Sequence, residues 1–519
     1  MNRFNQILPI GLAFALSACS IGPDFLRPDS PLPQYYSLPH QKDVATQKTL
    51  VNNDWWKLFG DETLNQLVEV ALKNNTDLRL AFARVEESQA LVQQTQSGFF
   101  PSFNLSADGA RNYLSNQSAG RTPNMSPRYA ESYSGLFSTN YELDLWGKVR
   151  RANERQQASL LSTLYAKDTT RLTVIALVVN NYLALRVADA QLIVTANTLK
   201  TREESALLTK NRMDAGLVSP IDYHQARGLL AQAHAQEADY NRQRALAEHQ
   251  LALITAQPEL KIPKGDLKYL PVPPVPPVGL PAQLIENRPD VKQAEAQLIA
   301  ANAGIGVARA AYFPSFNLTG SLGSSATLTE RLFESSSSLW SIALSAAMPI
   351  LNWGAVSAQV DAAKAITKQS QIAWEKALHL AYQEVRDALV SVREQEIAEA
   401  AAIIRAESAR HVLEIATQRY KAGHTGYLEL LDSERTHNES EINLIAIRQA
   451  RLNATVNLFK ALGGGWQPDF VWKEGIFPGP EPVKNNVSDS ENSAKPSDVA
   501  QAPATTKTAD SAKPADLEK

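Results

Sequence analysis

Two hydrophobic periods alternate along this chain, and they do so twice. Residues 61–98 space their apolar positions at 3.6, among Ala, Leu, Gln and Glu, and stop at Phe99-Phe100-Pro101. Past that proline the period falls to 2. Phe103, Leu105 and Ala107 alternate with Asn104, Ser106 and Asp108, and Tyr133, Phe137, Tyr141, Leu143 and Leu145 alternate with Ser134, Ser138, Asn140, Glu142 and Asp144. Helical spacing resumes from Lys148 to Ala215, through Leu172, Ile175, Val179 and Tyr182, and again over 221–256. The pattern then starts over: a helix at 282–311 with Pro289 in its first turn, strands within 314–351, and helices at 355–422 and 427–462.

Direct self-similarity confirms the duplication. Phe99-Phe100-Pro101-Ser102-Phe103-Asn104-Leu105 returns as Tyr312-Phe313-Pro314-Ser315-Phe316-Asn317-Leu318, an offset of 213. Trp146-Gly147 returns as Trp353-Gly354, and Arg212 to Gly216 as Arg419 to Gly423, both at an offset of 207. The repeat is therefore about 210 residues long, far beyond a solenoid unit.

The lengths have consequences. A helix of about 68 residues spans about 100 Å, more than an ordinary globular domain uses. Gly216 to Pro220 and Gly423 to Gly426 are reversal points, where glycine closes one helix and the next begins. Neither returning helix covers the distance alone, so each is expected to stack end to end on an ascending one: 221–256 below 282–311, and 427–462 below 61–98. The strands run about 10–14 residues, enough to cross an outer membrane when tilted, and Phe99, Phe100, Tyr141, Trp146, Tyr312, Phe313, Trp340 and Trp353 gather near their ends as an interfacial girdle does. A soluble sandwich alternates too, but four strands per chain are too few to close a barrel, and three chains would supply twelve. The expected class is an α+β membrane protein with an internal tandem repeat, its strands in a trimeric 12-stranded barrel and its coiled-coil-like helices in a periplasmic tunnel. Gly-, Ser- and Asn-rich segments at about 110–131 and 323–338 are the expected outward loops.

Composition narrows the function. Of 519 residues 44% are hydrophobic and 20% charged, with a formal net charge of -3, which gives no support to a phosphate-neutralising partner such as nucleic acid. One cysteine excludes an intramolecular disulfide and a Cys-rich zinc site. That cysteine follows Arg3 and an apolar stretch from Ile7 to Leu16, in the tetrapeptide Leu16-Ser17-Ala18-Cys19. It resembles a lipobox, in which 1–18 is removed and Cys19 is lipidated; the alternative is a residue buried in an ordinary signal peptide. Ser20, rather than Asp, favours sorting to the outer membrane. No metal-binding His pair on one helix turn, phosphate-cradling loop or nucleophile elbow is found, so no enzyme is expected, and no cofactor beyond lipid on Cys19.

The expected organisation is a lipoprotein signal at 1–18, a lipidated segment and equatorial belt at 19–60, repeat 1 at 61–256, a Pro-rich equatorial linker at 257–281, repeat 2 at 282–463, an equatorial segment at 464–480 and a disordered tail at 481–519.

Four stretches carry a resemblance: Tyr141-Glu142-Leu143-Asp144-Leu145-Trp146-Gly147-Lys148; Asn287-Arg288-Pro289-Asp290-Val291 with Ala294-Glu295; Ala303-Gly304-Ile305-Gly306-Val307-Ala308-Arg309; and Leu458 to Trp466. Across about residues 19–470 the chain resembles the outer-membrane factor family, the TolC-like channels, and within it the lipoprotein branch. The resemblance implies a homotrimer docked through a periplasmic adaptor (membrane fusion) protein onto an inner-membrane transporter, commonly of the RND class, as the passive exit duct for drugs and other small toxic compounds. Type I protein secretion, metal export and a non-pore lipoprotein scaffold are the alternatives; four scattered methionines disfavour copper or silver.

The family also implies an acidic constriction at the periplasmic tip, whose positions match Glu429 and Asp432. Spacing of three residues puts both on one helix face, although acids are favoured at any helix start. Asp222 stands at the same place in repeat 1. Tyr420 matches a latch residue, but Thr425 replaces its Arg partner and Glu429 its usual Asp. Glu142 and Asp144, on the polar strand face, are expected pore lining.

Overall fold

The computed structural model describes residues 20–33, 52–113, 129–276, 288–467, 470–471 and 481–482. Two compact units divide at residue 467, and the second contains a two-residue strand pair, β5 (Phe470–Val471) with β6 (Glu481–Pro482). Everything below concerns the first unit.

Its order is α1 (Glu62–Asn74), α2 (Thr76–Gln96), β1 (Ser102–Tyr113), β2 (Tyr129–Leu143), α3 (Lys148–Asp214), α4 (Pro220–Ile254), α5 (Pro289–Ala310), β3 (Ser315–Ala326), β4 (Ser338–Ala347), α6 (Ala355–Lys421) and α7 (Tyr427–Ala461). The duplication, both 67-residue helices and the helix reversals stand where the periodicity predicts them. Gly216 and Gly423 take φ of 73° and 76°, and the amides of Leu217 and His424 reach back to the carbonyls of Arg212 and Arg419 at 2.8 and 2.9 Å. These closures need a left-handed residue, which glycine supplies without a Cβ clash.

Three expectations change. The predicted helix 61–98 is two helices, because Asn75 leaves helical geometry and its Oδ1 caps α2, accepting from the amides of Asp77 and Leu78 at 3.0 Å. The loop predicted at 110–131 starts later, since β1 continues to Tyr113 and β2 starts at Tyr129, and residues 114–128 lie outside the described set; the loop predicted at 323–338 shortens likewise, with β3 reaching Ala326. The helix stacking is exchanged. Asn75 Nδ2 donates to the Ile254 carbonyl at 2.9 Å, so α4 ends against α2, while an Arg288 guanidinium nitrogen donates to the Ala461 carbonyl at 3.0 Å, so α7 ends against α5. Each repeat stacks on itself, which two polar side chains reading the last carbonyls of a helix achieve.

The sheet is fully antiparallel in the order β1-β2-β3-β4, and among the described residues nothing pairs the outer edges of β1 and β4. Its register puts Phe103, Leu105, Phe137, Leu322, Trp340, Ile342 and Leu344 on one face, and Trp340 and Ile342 are each 74% exposed in the single chain. At the helix end of the sheet the Trp146 and Phe313 rings meet at 4.9 Å, and Trp146 Nε1 donates to the Pro314 carbonyl at 2.7 Å.

The main core lies at the waist. Trp55, Trp56 and Phe59 join α1, the α3 stretch from Val174 to Ala190, the ends of α4 and α7, and Ile262, Leu267 and Leu270 of the linker. The most apolar stretch of α3 is mostly buried in this core, so it is interior packing and not a lipid-facing span. A second cluster joins Val291 of α5 to Trp374 through Val392 of α6 and Leu458 of α7.

Residues 20–33 form a strap across the seam of α3 and α5. The Ile21 amide donates to the Trp146 carbonyl at 3.1 Å, Asp24 pairs with the buried Arg151 at 2.6 Å, and Arg27 pairs with Glu295 at 2.5 Å. Gly22 crosses Gly306 so closely that a Cβ on Gly22 would lie 2.6 Å from Gly306 Cα, and one on Gly306 would lie 2.8 Å from the Ile21 carbonyl oxygen. Gly306→Val is therefore expected to lift the strap. Overpacking of this kind costs about 1–3 kcal/mol, so chymotryptic cleavage after Phe25 should accelerate about tenfold or more while the helical tunnel stays resistant; unchanged cleavage would show the strap is not held by this contact.

Candidate channel gate and pore lining

Three of the sequence-derived gate residues stand at the free end of the second hairpin. Tyr420 ends α6, Tyr427, Glu429 and Asp432 start α7, and the Gly423–Gly426 turn joins the two helices. Glu429 and Asp432 are exposed, one helix turn apart. Each has an arginine beside it: Arg419 lies 3.2 Å from Glu429 and Arg435 lies 2.9 Å from Asp432. The tip face is thus a set of carboxylate–guanidinium pairs rather than bare acid. Exposed pairs of this kind are worth about 0.2–1 kcal/mol, so either carboxylate exchanges partners easily. Asp222, partly exposed in the first turn of α4, occupies the equivalent place in the other hairpin.

Tyr420 points inward, not outward. It is buried with Tyr427, Leu430 and Ala226, its ring 5.8 Å from Tyr427 and under the Arg212 guanidinium at 4.8 Å. Its hydroxyl is buried without a hydrogen-bond partner among the described residues, and so is the hydroxyl of Thr425. Within the single chain Tyr420 thus packs in the tip core.

Just above lies a bolt that the sequence did not reveal. Arg202 of α3 and Glu434 of α7 form a salt bridge with both side chains buried. Thr198 Oγ1 donates to Asn438 Oδ1 at 2.9 Å, Ser205 and Tyr427 hydroxyls meet at 3.1 Å, and a cavity of about 200 Å³ opens beside them. Burial pushes the Glu434 carboxyl above its ordinary range, and the Arg202 charge offsets only part of that. Charged residues populate both helices throughout, so nothing in the sequence marks these two as partners.

At the waist the balance reverses. Glu399 of α6 accepts from Arg448 and Arg451 of α7, both at 2.6 Å, and Arg448 also reaches the Leu270 carbonyl at 2.9 Å. Burial pushes the Glu399 carboxyl up, but the two guanidinium groups together outweigh it and hold it below the ordinary carboxylate value.

Nearer the sheet, Glu142 pairs with Lys148 at 2.9 Å and stays partly exposed on the polar strand face. Asp144 departs from its expected role. It lies past the end of β2, and its oxygens accept from the amides of Val149 and Arg150 at 3.0 Å and from Arg150 Nε at 3.3 Å. A carboxylate among free amides at a helix start is a cap, so Asp144 secures the strand-to-helix junction rather than lining a pore. Cys19 lies outside the described residues; its neighbour Ser20 packs against Gly147 at that same junction. Among the described residues no three His, Cys, Asp or Glu side chains converge to hold a metal ion.

Comparison with known proteins decides the family. The model of the outer membrane efflux protein family matches residues 67–257 and 280–464. The chain belongs to that family. It is 33% identical over 467 residues to the solvent efflux pump outer membrane protein SrpC of Pseudomonas putida, covering 88% of this chain and 98% of SrpC. It is 31% identical over 470 residues to the cation efflux system protein CusC of Escherichia coli, covering 89% and 99%. The crystal structure of the CmeC outer membrane channel of Campylobacter jejuni superposes with a TM-score of 0.79 at 26% identity, covering 87% of this chain and 96% of CmeC. The protein is accordingly the bacterial outer-membrane channel component of an efflux system, in a family of channels rather than enzymes.

The bolt and the Glu399–Arg448–Arg451 cluster at the waist answer pH oppositely. A carboxyl raised by folding contributes stability that is full below its ordinary range and lost as pH rises through its raised value; one lowered by folding contributes stability present above about 4.5 and lost as pH falls through its lowered value. Arg202→Ala leaves a buried carboxylate alone and should cost about 3–5 kcal/mol. The loss should be smaller at pH 5 than at pH 7.5 in thermal unfolding, because protonating Glu434 removes the unpaired charge. Glu399→Gln should instead flatten the acid side of the stability profile. Equal losses for Arg202→Ala at both pH values would remove the bolt from this account.

Proposed function

We propose that three copies of this chain, each lipidated on Cys19, form a closed 12-stranded outer-membrane pore continuous with a helical tunnel, and that this duct passively conducts small toxic molecules out of the cell. The observation that carries the reading is a sheet with an exposed apolar face and, among the described residues, two open edges, joined to helices of 67 residues. Unpaired amides and carbonyls are not tolerated in hydrocarbon, so the edges must close on other copies. Lipidation is supported by the strap, which brings residue 20 to the Trp146–Gly147 junction at the inner rim of the sheet, where acyl chains on Cys19 would enter the adjacent leaflet. The motive force then comes from an inner-membrane RND-type transporter through a periplasmic adaptor, for which relatives named as pump components are the support.

The exposed pair of Glu429 and Asp432 forms the periplasmic gate in this reading, with Asp222 beside it. Threefold symmetry brings six carboxylates and their arginines around one axis, a ring that prefers cations and stays narrow until the pump engages the tip. Solvent-type and antibiotic cargo is favoured by the relatives named for solvents, toluene and antibiotics. Cation export is the second reading, favoured by the likeness to CusC.

Planar-bilayer recording of the purified full-length trimer tests the duct. Stable conductance with cation preference is expected, and Glu429→Gln with Asp432→Asn should bring the cation-to-anion ratio severalfold closer to unity; absence of conductance would sink the reading. Cys19→Ser should abolish labelled palmitate incorporation. Deleting the gene should raise sensitivity to solvents and antibiotics, and a change confined to one metal ion would replace this cargo with cations.

A further inference from the structure

The register of the sheet places one cluster at odds with its surroundings. Arg111 shares a pleat face of β1 with Phe103 and Leu105, the apolar face, and its cross-strand partner Glu131 lies on the same face of β2. A charged pair inside the hydrocarbon band is costly, so its height matters. From the exposed girdle residue Phe100 to Arg111 the strand climbs about 36 Å at 3.3 Å per residue. At a tilt of about 40° that is about 28 Å of height, just beyond an apolar band of about 25 Å. In the barrel reading above, that height puts Arg111 at the headgroup level of the outer leaflet, facing lipid.

What surrounds it is organised. Arg111 pairs with Glu131 at 3.0 Å through Nε and lies over the Tyr129 ring at 4.6 Å; Tyr113 and Tyr129 meet at 5.3 Å; and Tyr133 covers Gly109, where a Cβ would come within 3.2 Å of the ring. The paired strands of the duplicated hairpin carry no such charged pair. On the same face near the corresponding end they present Ser324, Ala326, Ser338 and one aromatic, Trp340, and β3 stops pairing at Tyr133, so the cluster stands on a part of β1–β2 that outreaches the rest of the sheet. An aromatic girdle alone would not call for the Arg111–Glu131 pair.

We propose that this outer-face patch binds the phosphorylated glucosamine headgroup of the saccharolipid that forms the outer leaflet of the bacterial outer membrane. Glu131 holds the guanidinium through Nε, and a guanidinium fixed in this way presents the planar fork that takes a phosphate bidentately. The tyrosines supply apolar ring faces for the sugar and hydroxyl edges for its polar groups, as amphipathic rings do at membrane interfaces. The assignment rests on the barrel reading above, which sets which pleat face meets lipid.

The test is competitive binding of lipid A to the full-length trimer in nanodiscs, with dimyristoyl phosphatidylglycerol as the anionic phospholipid arm and planar-bilayer conductance measured on the same preparations. Wild type should prefer lipid A by about tenfold or more. Arg111→Ala and Tyr129→Ala should each remove most of that preference, Tyr129→Phe should retain it, and conductance should be unchanged in all three. A conducting wild-type trimer that binds both lipids equally, or variants that bind lipid A as wild type does, would overturn the patch and leave the duct standing. A wild-type trimer that does not conduct would overturn the barrel and the patch with it.

Discussion

Everything in this protein follows from the two unsatisfied edges of a four-stranded sheet. In water such edges hydrogen-bond to solvent; in hydrocarbon each bare amide or carbonyl costs several kcal/mol. The first edge belongs to β1 and the last to β4, so one copy's final strand meets another's first, and the same rotation must repeat until the ring closes. Closure requires each chain to enter and leave the sheet at the same level. That explains why β1 follows α2 and β4 precedes α6 through short connections, and why Asp144 and the Trp146–Phe313 contact pin the sheet to the helices beneath it. The strap adds a further tie at that level, holding the N-terminal segment across the seam of the two repeats.

Below the membrane the problem becomes one of holding very long helices in register. At the waist the solution is backbone recognition. Arg186 and Arg244 donate to the carbonyls of Pro263 and Ile262 at 2.8 and 2.7 Å, Asp189 accepts from both arginines and from the Gly265 amide, and Glu248 accepts from the Ile262 amide. A proline-rich linker has few amides to offer, and these side chains use the carbonyls it does have. The same logic is duplicated: Arg451 pairs with Glu396 as Arg244 pairs with Asp189, at the 207-residue offset that relates the repeats. Apolar burial around Trp55, Tyr182 and Phe459 surrounds both sets and makes the waist the fixed part of the tunnel.

Much of this was legible in the sequence because period, length and repetition are properties of a single chain read in order. The strands, the 67-residue helices, their glycine closures and the strand count that demands other copies needed no structure. What was not legible depends on partners far apart in sequence. Asn75 looks like one more polar residue on a helix until its side chain is seen capping α2 while reaching the Ile254 carbonyl. The exchange of stacked helices turns on that contact and on Arg288 at Ala461, which length arithmetic cannot distinguish from the opposite pairing. Asp144 alternates with the polar strand face, but two free amides at the next helix start claim it first. Glu429 and Asp432 were singled out by spacing and family likeness, yet the arginines that pair with them come from α6 and from the next turn of α7.

The contrast between waist and tip carries the last step. Toward the waist, α3 meets α7 through Leu452, Val456 and Phe459 in a dry core, where any sliding would expose apolar surface. Toward the tip the same two helices meet through Arg202 and Glu434, Thr198 and Asn438, Ser205 and Tyr427, beside a cavity. Polar partners of this kind can be exchanged for water as the helices part, so separation there costs less than separation at the waist. A tunnel with an apolar waist and a polar tip separates most readily at the tip. In the proposed reading of Glu429 and Asp432 as the gate, opening at that end would leave the barrel above undisturbed, which is the mechanical arrangement a gated exit duct needs.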